Sequence, residues 1–309
     1  MHWTYPLPLR AVGTRNIYTL HDLVPLRLPY TTLDNKRRYF RLNRLLGRRA
    51  DHIVTVSEAS RRDIINLLGL PEDKVTNTYQ AVDIPRQFTD VPMAAVEAEV
   101  RGSFGLEAGT YWLFFGAIEP KKNVGRMIQA FLASGVEGPL VIVGKKAWKS
   151  EEELRLMFDD HVRYLVQEGM TLRTRHKVML LDYAPFRLLV NLIRGARAVL
   201  FPSLYEGFGL PALEAMLLGT PVITSDTASM PEVVGDAAVT IDPYDISALV
   251  QAIQAVDRDE VLRARLAHAG PQRAALFSPE RYAARLAALY RTLGVPPVAQ
   301  PAADRMAAE

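Results

Sequence analysis

The stretch Ser203-Leu204-Tyr205-Glu206-Gly207-Phe208-Gly209-Leu210-Pro211-Ala212-Leu213-Glu214-Ala215-Met216 reads as strand, tight turn and helix, with two carboxylates eight positions apart. The apolar run Ala198 to Phe201 before it is strand-like, the glycines let the backbone turn closely around something, and Pro211 is pre-set for the first turn of a helix ending near Gly219. Such a helix N-terminus presents unpaired N–H groups to an anion or a polar ligand. Glu214, about one turn into the helix, is placed to accept hydrogen bonds from neutral hydroxyls, as an acidic residue holds the ribose in dinucleotide-binding folds. Glu206, ahead of the turn, faces a different part of the same ligand. A strand-to-helix turn with one capping and one solvated glutamate accounts for the same spacing, so the two glutamates alone do not decide.

Working outward, strands are expected at Tyr111 to Ile118, Pro139 to Val143, Lys177 to Leu181, Ala198 to Phe201, Pro221 to Thr224 and Ala238 to Ile241, with helices between them. This alternation predicts a doubly wound parallel α/β domain, in which ligands sit outside the carboxyl ends of the strands. Gly116 to Lys122, Gly144-Lys145, Asp182-Tyr183, Glu206 to Leu210 and Ser225 to Met230 all fall at such ends, and their convergence supports a site better than one motif does. Glu119-Pro120-Lys121-Lys122 leads into a helix starting at Asn123, with Val124, Met127, Ile128, Phe131 and Leu132 on one face. Lys122 beside that helix N-terminus is a phosphate-site arrangement, although a lone lysine before a helix is more often solvated.

Residues 1–96 read as part of another α/β unit, with strands at Thr14 to Leu20, Asp51 to Val56 and Val75 to Tyr79. A helix with Ser57 as N-cap and Gly69 as its stop lies between the last two. The helix from Asn35 to Ala50 has separated faces: Arg37, Arg41, Arg44 and Arg48 form one stripe, and Tyr39, Leu42, Leu46 and Ala50 lie opposite. Contact with an anionic membrane surface or a phosphate-bearing substrate is one reading of this helix 35–50; a solvated face over an apolar side packed on the sheet is the other. Pro92 to Gly102 reads as a linker helix, residues 97–278 as the second domain, and the helix Pro279 to Leu293 within 279–294 as packing back toward the first. Residues 295–309, rich in alanine and proline from Pro296 on, read as a disordered tail.

Composition narrows the function classes. A chain of 309 residues is long enough for two domains with large apolar cores. Its formal charge of +3 is only mildly basic, and no aromatic-interleaved basic motif is present, so nucleic acid is not an expected partner. The absence of cysteine excludes disulfides and thiolate chemistry. No stretch approaches eighteen uncharged apolar residues, and Met1-His2-Trp3-Thr4-Tyr5-Pro6 lacks the regions of a signal peptide, so a cytoplasmic protein, peripheral at most to a membrane, is expected.

The motif Glu206-x7-Glu214, followed by Gly219-Thr220-Pro221-Val222-Ile223, resembles that of the retaining GT-B glycosyltransferases of family 4. Gly116-Ala117-Ile118-Glu119-Pro120-Lys121-Lys122-Asn123, Gly144-Lys145-Lys146-Ala147-Trp148 and Met230-Pro231-Glu232-Val233-Val234 fall in the family's order. Thr19-Leu20-His21-Asp22-Leu23 and Thr55-Val56-Ser57-Glu58 do so in the first domain, and the resemblance runs from about His2 to Leu293. It implies two Rossmann-like parallel-sheet domains facing across a cleft, with a nucleotide diphosphate sugar held mainly by the second. By the same resemblance Glu214 holds the ribose, and Glu206 with the backbone around Gly207, Phe208 and Gly209 holds the hexose. Lys122 neutralises the departing diphosphate, Asp182 and Tyr183 lie near the base, and Gly116 and Leu210 complete the donor-binding set. His21 lines the sugar and acceptor side, making His21, Lys122 and Glu206 the implied catalytic residues.

Breaking a bond from an anomeric carbon to phosphate builds negative charge on the diphosphate, so cations and helix N-termini belong there. With Lys122 and backbone N–H groups in that role, no metal ion or other cofactor is expected. The Glu-Pro-Lys-Lys-Asn and Gly-Lys-Lys-Ala-Trp stretches look most like bacterial mannosyltransferase-type members, giving GDP-mannose as the first donor and a glycan or lipid-linked molecule as the acceptor. Ala117 stands where many members carry arginine, Ala81 where a glycine usually precedes the Val82-Asp83 pair, and Asp182 where a glycine usually precedes Tyr183. The resemblance also makes the first domain incomplete at its start. An upstream start, a partner chain completing the domain, or a non-catalytic nucleotide-sugar-binding subunit of a transferase complex are the expectations that follow.

Overall fold

The computed structural model describes residues 1–158, 163–168 and 171–295. The residues of the expected disordered tail from Pro296 onward lie outside these. Four parallel strands form the first sheet in sequential order: β1 (His2–Trp3), β2 (Ile17–Thr19), β3 (His52–Thr55) and β4 (Val75–Asn77). Three of them lie within the expected spans. The fourth, β1, gives no periodicity because it is two residues long, and it is held by side chains: the Trp3 ring stacks on Tyr18, and the His2 ring bonds Thr19 Oγ1 at 2.8 Å and Tyr290 Oη at 2.7 Å.

The crossovers are helical for local reasons. Asn35 caps the helix Lys36–Arg49 by accepting from the Arg38 amide at 3.0 Å, and Ser57 caps Glu58–Leu68 by accepting from Ser60 at 3.0 Å. Gly69 ends the second helix in the left-handed region. Leu46 and Ala50 of the basic helix join Tyr18, Leu20, Ile53, Ile64 and Leu68 in one buried cluster, while Arg37, Arg41, Arg44 and Arg48 are exposed.

The second sheet holds six parallel strands in the order β12-β11-β10-β5-β6-β9. They are β5 (Trp112–Phe115), β6 (Leu140–Val143), β9 (Val178–Leu181), β10 (Ala198–Phe201), β11 (Val222–Ser225) and β12 (Val239–Ile241). β5, β6, β10 and β11 are buried throughout, as a sheet covered by helices on both faces requires. An antiparallel pair, β7 (Arg163–Glu168) and β8 (Thr171–His176), stands between β6 and β9 in the chain and was not expected from the sequence. Helix Pro279–Thr292 returns to the first domain, where Leu289 packs on Ile17 and Val54.

Chain order in the second sheet runs from β5 outward through β6 to β9, then returns to β10 on the other side of β5. The reversal lies between β5 and β10. Loops leaving these neighbours diverge to opposite faces and open a crevice at their carboxyl ends, the usual ligand position in such sheets.

Candidate active site

Both loops at the reversal are fixed by backbone geometry. Gly116 leaves β5 at φ +139°, and a Cβ on Gly144, after β6, would lie 1.9 Å from the Gly116 carbonyl oxygen. Pro120–Lys122 make one tight turn, and Asn123, left-handed at φ +60°, opens the helix Val124–Ser134. The Asn123 amide donates to the carbonyls of Pro202 at 3.0 Å and Pro243 at 2.8 Å, tying together the loops after β5, β10 and β12. The Leu204 amide donates to the Lys121 carbonyl at 2.8 Å.

This stitching sets Lys122 Nζ 2.7 Å from Glu206 Oε1, with the two residues only 8% and 7% exposed. The Lys122 ammonium also lies 4.7 Å from the centre of the Phe201 ring. Lys121 stands beside it, 3.4 Å from Glu119. Burial acts to lower the Lys121 pKa, but Glu206, Glu119 and Asp22 outweigh it and hold the ammonium above its ordinary value. The crevice floor therefore combines two cations with the Glu206 carboxylate.

The Glu206–Gly209 turn is held from behind. Ser229 Oγ donates to the carbonyls of Glu206 at 2.9 Å and Phe208 at 3.1 Å. Gly209 has φ +99°, and a Cβ there would come 2.5 Å from Met230 Sδ. Phe208 turns its ring onto Tyr79 and Phe277, leaving its backbone as its contribution to the turn. The helix Leu210–Leu217 then starts with no side chain capping it, so its first amides have no side-chain acceptor. Glu214 is largely buried, and burial pushes its carboxyl up to about 7.

The expected phosphate arrangement at the Asn123 helix takes a different form. The Glu153 carboxylate accepts from the Gly125 amide at 2.7 Å and covers that N-terminus. Burial raises the Glu153 pKa, the amide bonds and Arg126 opposing it only in part. The open N-terminus at the crevice is therefore that of Leu210–Leu217, and Lys122 contributes its side chain alone.

Of the other expected site residues, His21 follows β2 and is exposed, its carbonyl accepting from Thr55 Oγ1 at 3.3 Å. It borders the crevice from the first domain, because Asp22 beside it approaches Gly207 so closely that a Cβ there would lie 2.7 Å from Asp22 Oδ2. Asp182 and Tyr183 follow the edge strand β9, two strands from β5, and Tyr183 is 79% exposed. Among the described residues no group of three or more His, Asp or Glu is gathered to hold a metal ion. The chain's one Asp-x-Asp, Asp257-Arg258-Asp259, is structural: Asp257 pairs with Arg197 at 2.8 Å and Asp259 caps the helix Glu260–Ala274.

Sequence reasoning assigned no role to Asp22, Asp63, Asn123, Tyr205 or Glu232, all of which contact the loops of the crevice or the neighbouring domain. Asp63 left a signal. It sits three residues after Ser60 and beside Ile64 on the inward stripe of its helix, where a carboxylate needs a partner. The Tyr205 hydroxyl and Arg27 supply it.

Comparison with known proteins agrees with this architecture. Residues 97–273 match the family described as glycosyl transferases group 1, and residues 1–86 match glycosyltransferase family 4. The chain is 32% identical over 288 residues to O-antigen chain mannosyltransferase B of Escherichia coli, covering 90% of this chain and 71% of that protein. It is 28% identical over 279 residues to the serotype-specific mannosyltransferase WbdA of Escherichia coli, covering 88% of this chain and 33% of that one. A sucrose-phosphate synthase from Thermosynechococcus elongatus superposes with a TM-score of 0.71 at 20% identity, over 91% of this chain and 68% of that chain, which shows the shared GT-B fold.

Proposed function

The chain belongs to the family of glycosyl transferases group 1, and on that premise we propose that it is a retaining transferase moving a hexose from a nucleotide diphosphate sugar to a glycan or lipid-linked acceptor. The observation that carries the reading is the buried Lys122–Glu206 pair at the strand-order reversal, followed in the chain by an uncapped helix N-terminus and, one turn into that helix, by the Glu214 carboxyl that burial raises. In this reading the diphosphate lies at the amides of Gly209 and Leu210, with Lys122 and Lys121 facing its developing charge. Glu206 accepts from hexose hydroxyls, and Glu214 from the ribose. As the bond from the anomeric carbon to the diphosphate oxygen breaks, the bond to the acceptor oxygen forms and the acceptor proton leaves on the diphosphate. His21 faces that reaction from the first domain.

Mannose is the proposed sugar and GDP-mannose the proposed donor, supported by the mannosyltransferases among the relatives and by the likeness of the Lys121-Lys122 loop to such members. Because the relatives are transferases, a purely binding subunit is not favoured. No helix among the described residues is long and apolar enough to cross a membrane. The proposed approach to a lipid-linked acceptor uses the basic helix, where Arg37, Arg38 and Arg41 line an open groove of about 550 Å³ with Pro8, Leu42 and Leu45. Tyr5, Leu7 and Leu9 are exposed on the segment containing Pro8, giving apolar groups beside cations, the combination that an anionic lipid surface takes up.

The test is release of nucleoside diphosphate from GDP-mannose in the presence of lipid-linked oligosaccharide acceptors, run beside UDP-glucose. Release from GDP-mannose alone, with mannose recovered on the acceptor in the anomeric configuration of the donor, is the expected result. Release from UDP-glucose alone would overturn the donor assignment, and acceptor-independent hydrolysis with no glycoside formed would overturn transfer.

A further inference from the structure

The helix Glu58–Leu68 belongs to the first domain, yet its N-terminus is completed by the second. The Glu58 and Ala59 amides donate to the two carboxylate oxygens of Glu232 at 2.9 and 2.8 Å, and the Tyr79 hydroxyl adds a longer bond at 3.4 Å. Further along the same helix, Ser60 Oγ donates to the Gly207 carbonyl at 3.3 Å, and Asp63 accepts from the Tyr205 hydroxyl. Glu232 is anchored in turn, since Arg273 Nε donates to the Val233 carbonyl at 2.9 Å.

On the second-domain side these contacts converge on Glu206. Tyr205 precedes it in the chain. Ser229, three residues before Glu232, holds the Glu206 and Phe208 carbonyls, and Met230 of the Glu232 helix packs under Gly209. A carboxylate on a helix N-terminus gains from both charge-assisted bonds and the helix dipole, and both fall away within a turn's length. Amide-to-carboxylate bonds at these distances are lost when the domains separate by an ångström or two.

We propose that Glu232 and Asp63 are positioning residues: the first-domain helix, docked on Glu232 and Tyr205 and bonded to the Gly207 carbonyl, sets Glu206 against the hexose by holding the two domains in contact, while the Gly209 and Leu210 amides keep their place on the second domain. The proposal rests on the transfer reading above. It differs from simple interface adhesion in separating transfer from nucleotide binding, which uses second-domain groups.

Glu58→Pro supplies a clean test. Ser57 is extended at φ −159° and ψ 162°, as a residue before proline must be, and proline is favoured at the first helical position, so the helix persists while one donor to Glu232 is deleted. Glu232→Gln removes the charge, and Asp63→Asn provides an independent variant should Glu232→Gln fail to fold. The chain has no cysteine, so Leu33→Cys and Val261→Cys, at positions 75% and 79% exposed in the two domains, take spin labels specifically. Each variant is expected to lower kcat by about tenfold, to leave the nucleoside diphosphate Kd within about twofold, and to broaden or lengthen the interspin distance. Folded variants with native kcat, or nucleotide affinity falling in step with kcat at an unchanged interspin distance, overturn the proposal. If the native chain itself transfers no sugar, the transfer reading fails on its own; the interspin distances still decide whether the contacts govern domain approach, and unchanged distances overturn that part too.

Discussion

Replacing Glu214 by glutamine should stabilise the protein while weakening its hold on a nucleotide. Burial carries the Glu214 carboxyl from an ordinary 4.5 to about 7. The folded protein therefore keeps a proton that the unfolded chain has already released, and native stability falls as pH rises from about 4.5 to 7, then levels off. The size of that fall is at most about 3 kcal/mol for a group so largely buried. Glu214→Gln has no such proton to lose, so its stability should exceed that of the native protein by up to that amount at pH 8 and match it near pH 4.5. Ribose hydroxyls donating to the carboxylate favour its ionised form, so nucleotide binding at pH 6 should release a proton and affinity should rise with pH up to about 7. Urea denaturation at pH 5 and pH 8 measures the first effect. Calorimetry in two buffers of different ionisation enthalpy measures the second, with Glu214→Gln cancelling the protonation of the diphosphate itself. The reasoning is refuted if native protein and Glu214→Gln lose stability equally between pH 5 and pH 8, or release the same number of protons on binding.

Three further outcomes follow from the same geometry. Lys122→Ala leaves Glu206 buried without its cation, which should cost about 3 kcal/mol in urea denaturation and lower kcat by about two orders of magnitude; native stability in that variant would mean Glu206 has another partner. Gly209→Ala imposes a side chain at φ +99° against Met230 Sδ, so thermal melting should show a loss of about 2 kcal/mol and titration a weakened nucleoside diphosphate, an outcome contradicted by native affinity. Arg37→Glu combined with Arg41→Glu should abolish sedimentation with vesicles containing anionic lipid while leaving nucleoside diphosphate affinity unchanged, and undiminished sedimentation removes this helix from membrane contact.

The second domain was legible because its signals are local. Strands such as Ala198–Phe201 are uninterrupted apolar runs, and Gly209 and Pro211 mark a turn and a helix start through their own backbone chemistry. β1 was not legible, since two residues carry no period and its stability comes from Tyr18, Thr19 and Tyr290. The free helix N-terminus was assigned both to Leu210 and to the helix after Lys122. Only the folded chain shows Glu153 covering the latter from 28 residues away. Interdomain roles were hidden for the same reason. Glu232 is an unremarkable acid in Met230-Pro231-Glu232 until the chain brings amides 174 and 173 positions distant onto it.

Glu206 and Glu214 share one motif, yet the fold partners them differently. Glu206 has the Lys122 ammonium within hydrogen-bond distance and its backbone pinned by Ser229, so it meets a cation where, in the proposed reading, the bond to phosphate is to break. Burial raises the Glu214 carboxyl to about 7, and in the proposed reading hydroxyl donors of the ribose favour its ionised form. An anion left uncompensated beside a departing diphosphate would oppose the reaction, whereas one that gains its charge on contact with ribose ties affinity to the presence of the nucleoside. In the proposed reading the eight-residue spacing thus puts a compensated carboxylate at the reacting end of the donor and an uncompensated one at the recognition end, and interchanging their environments would weaken both functions.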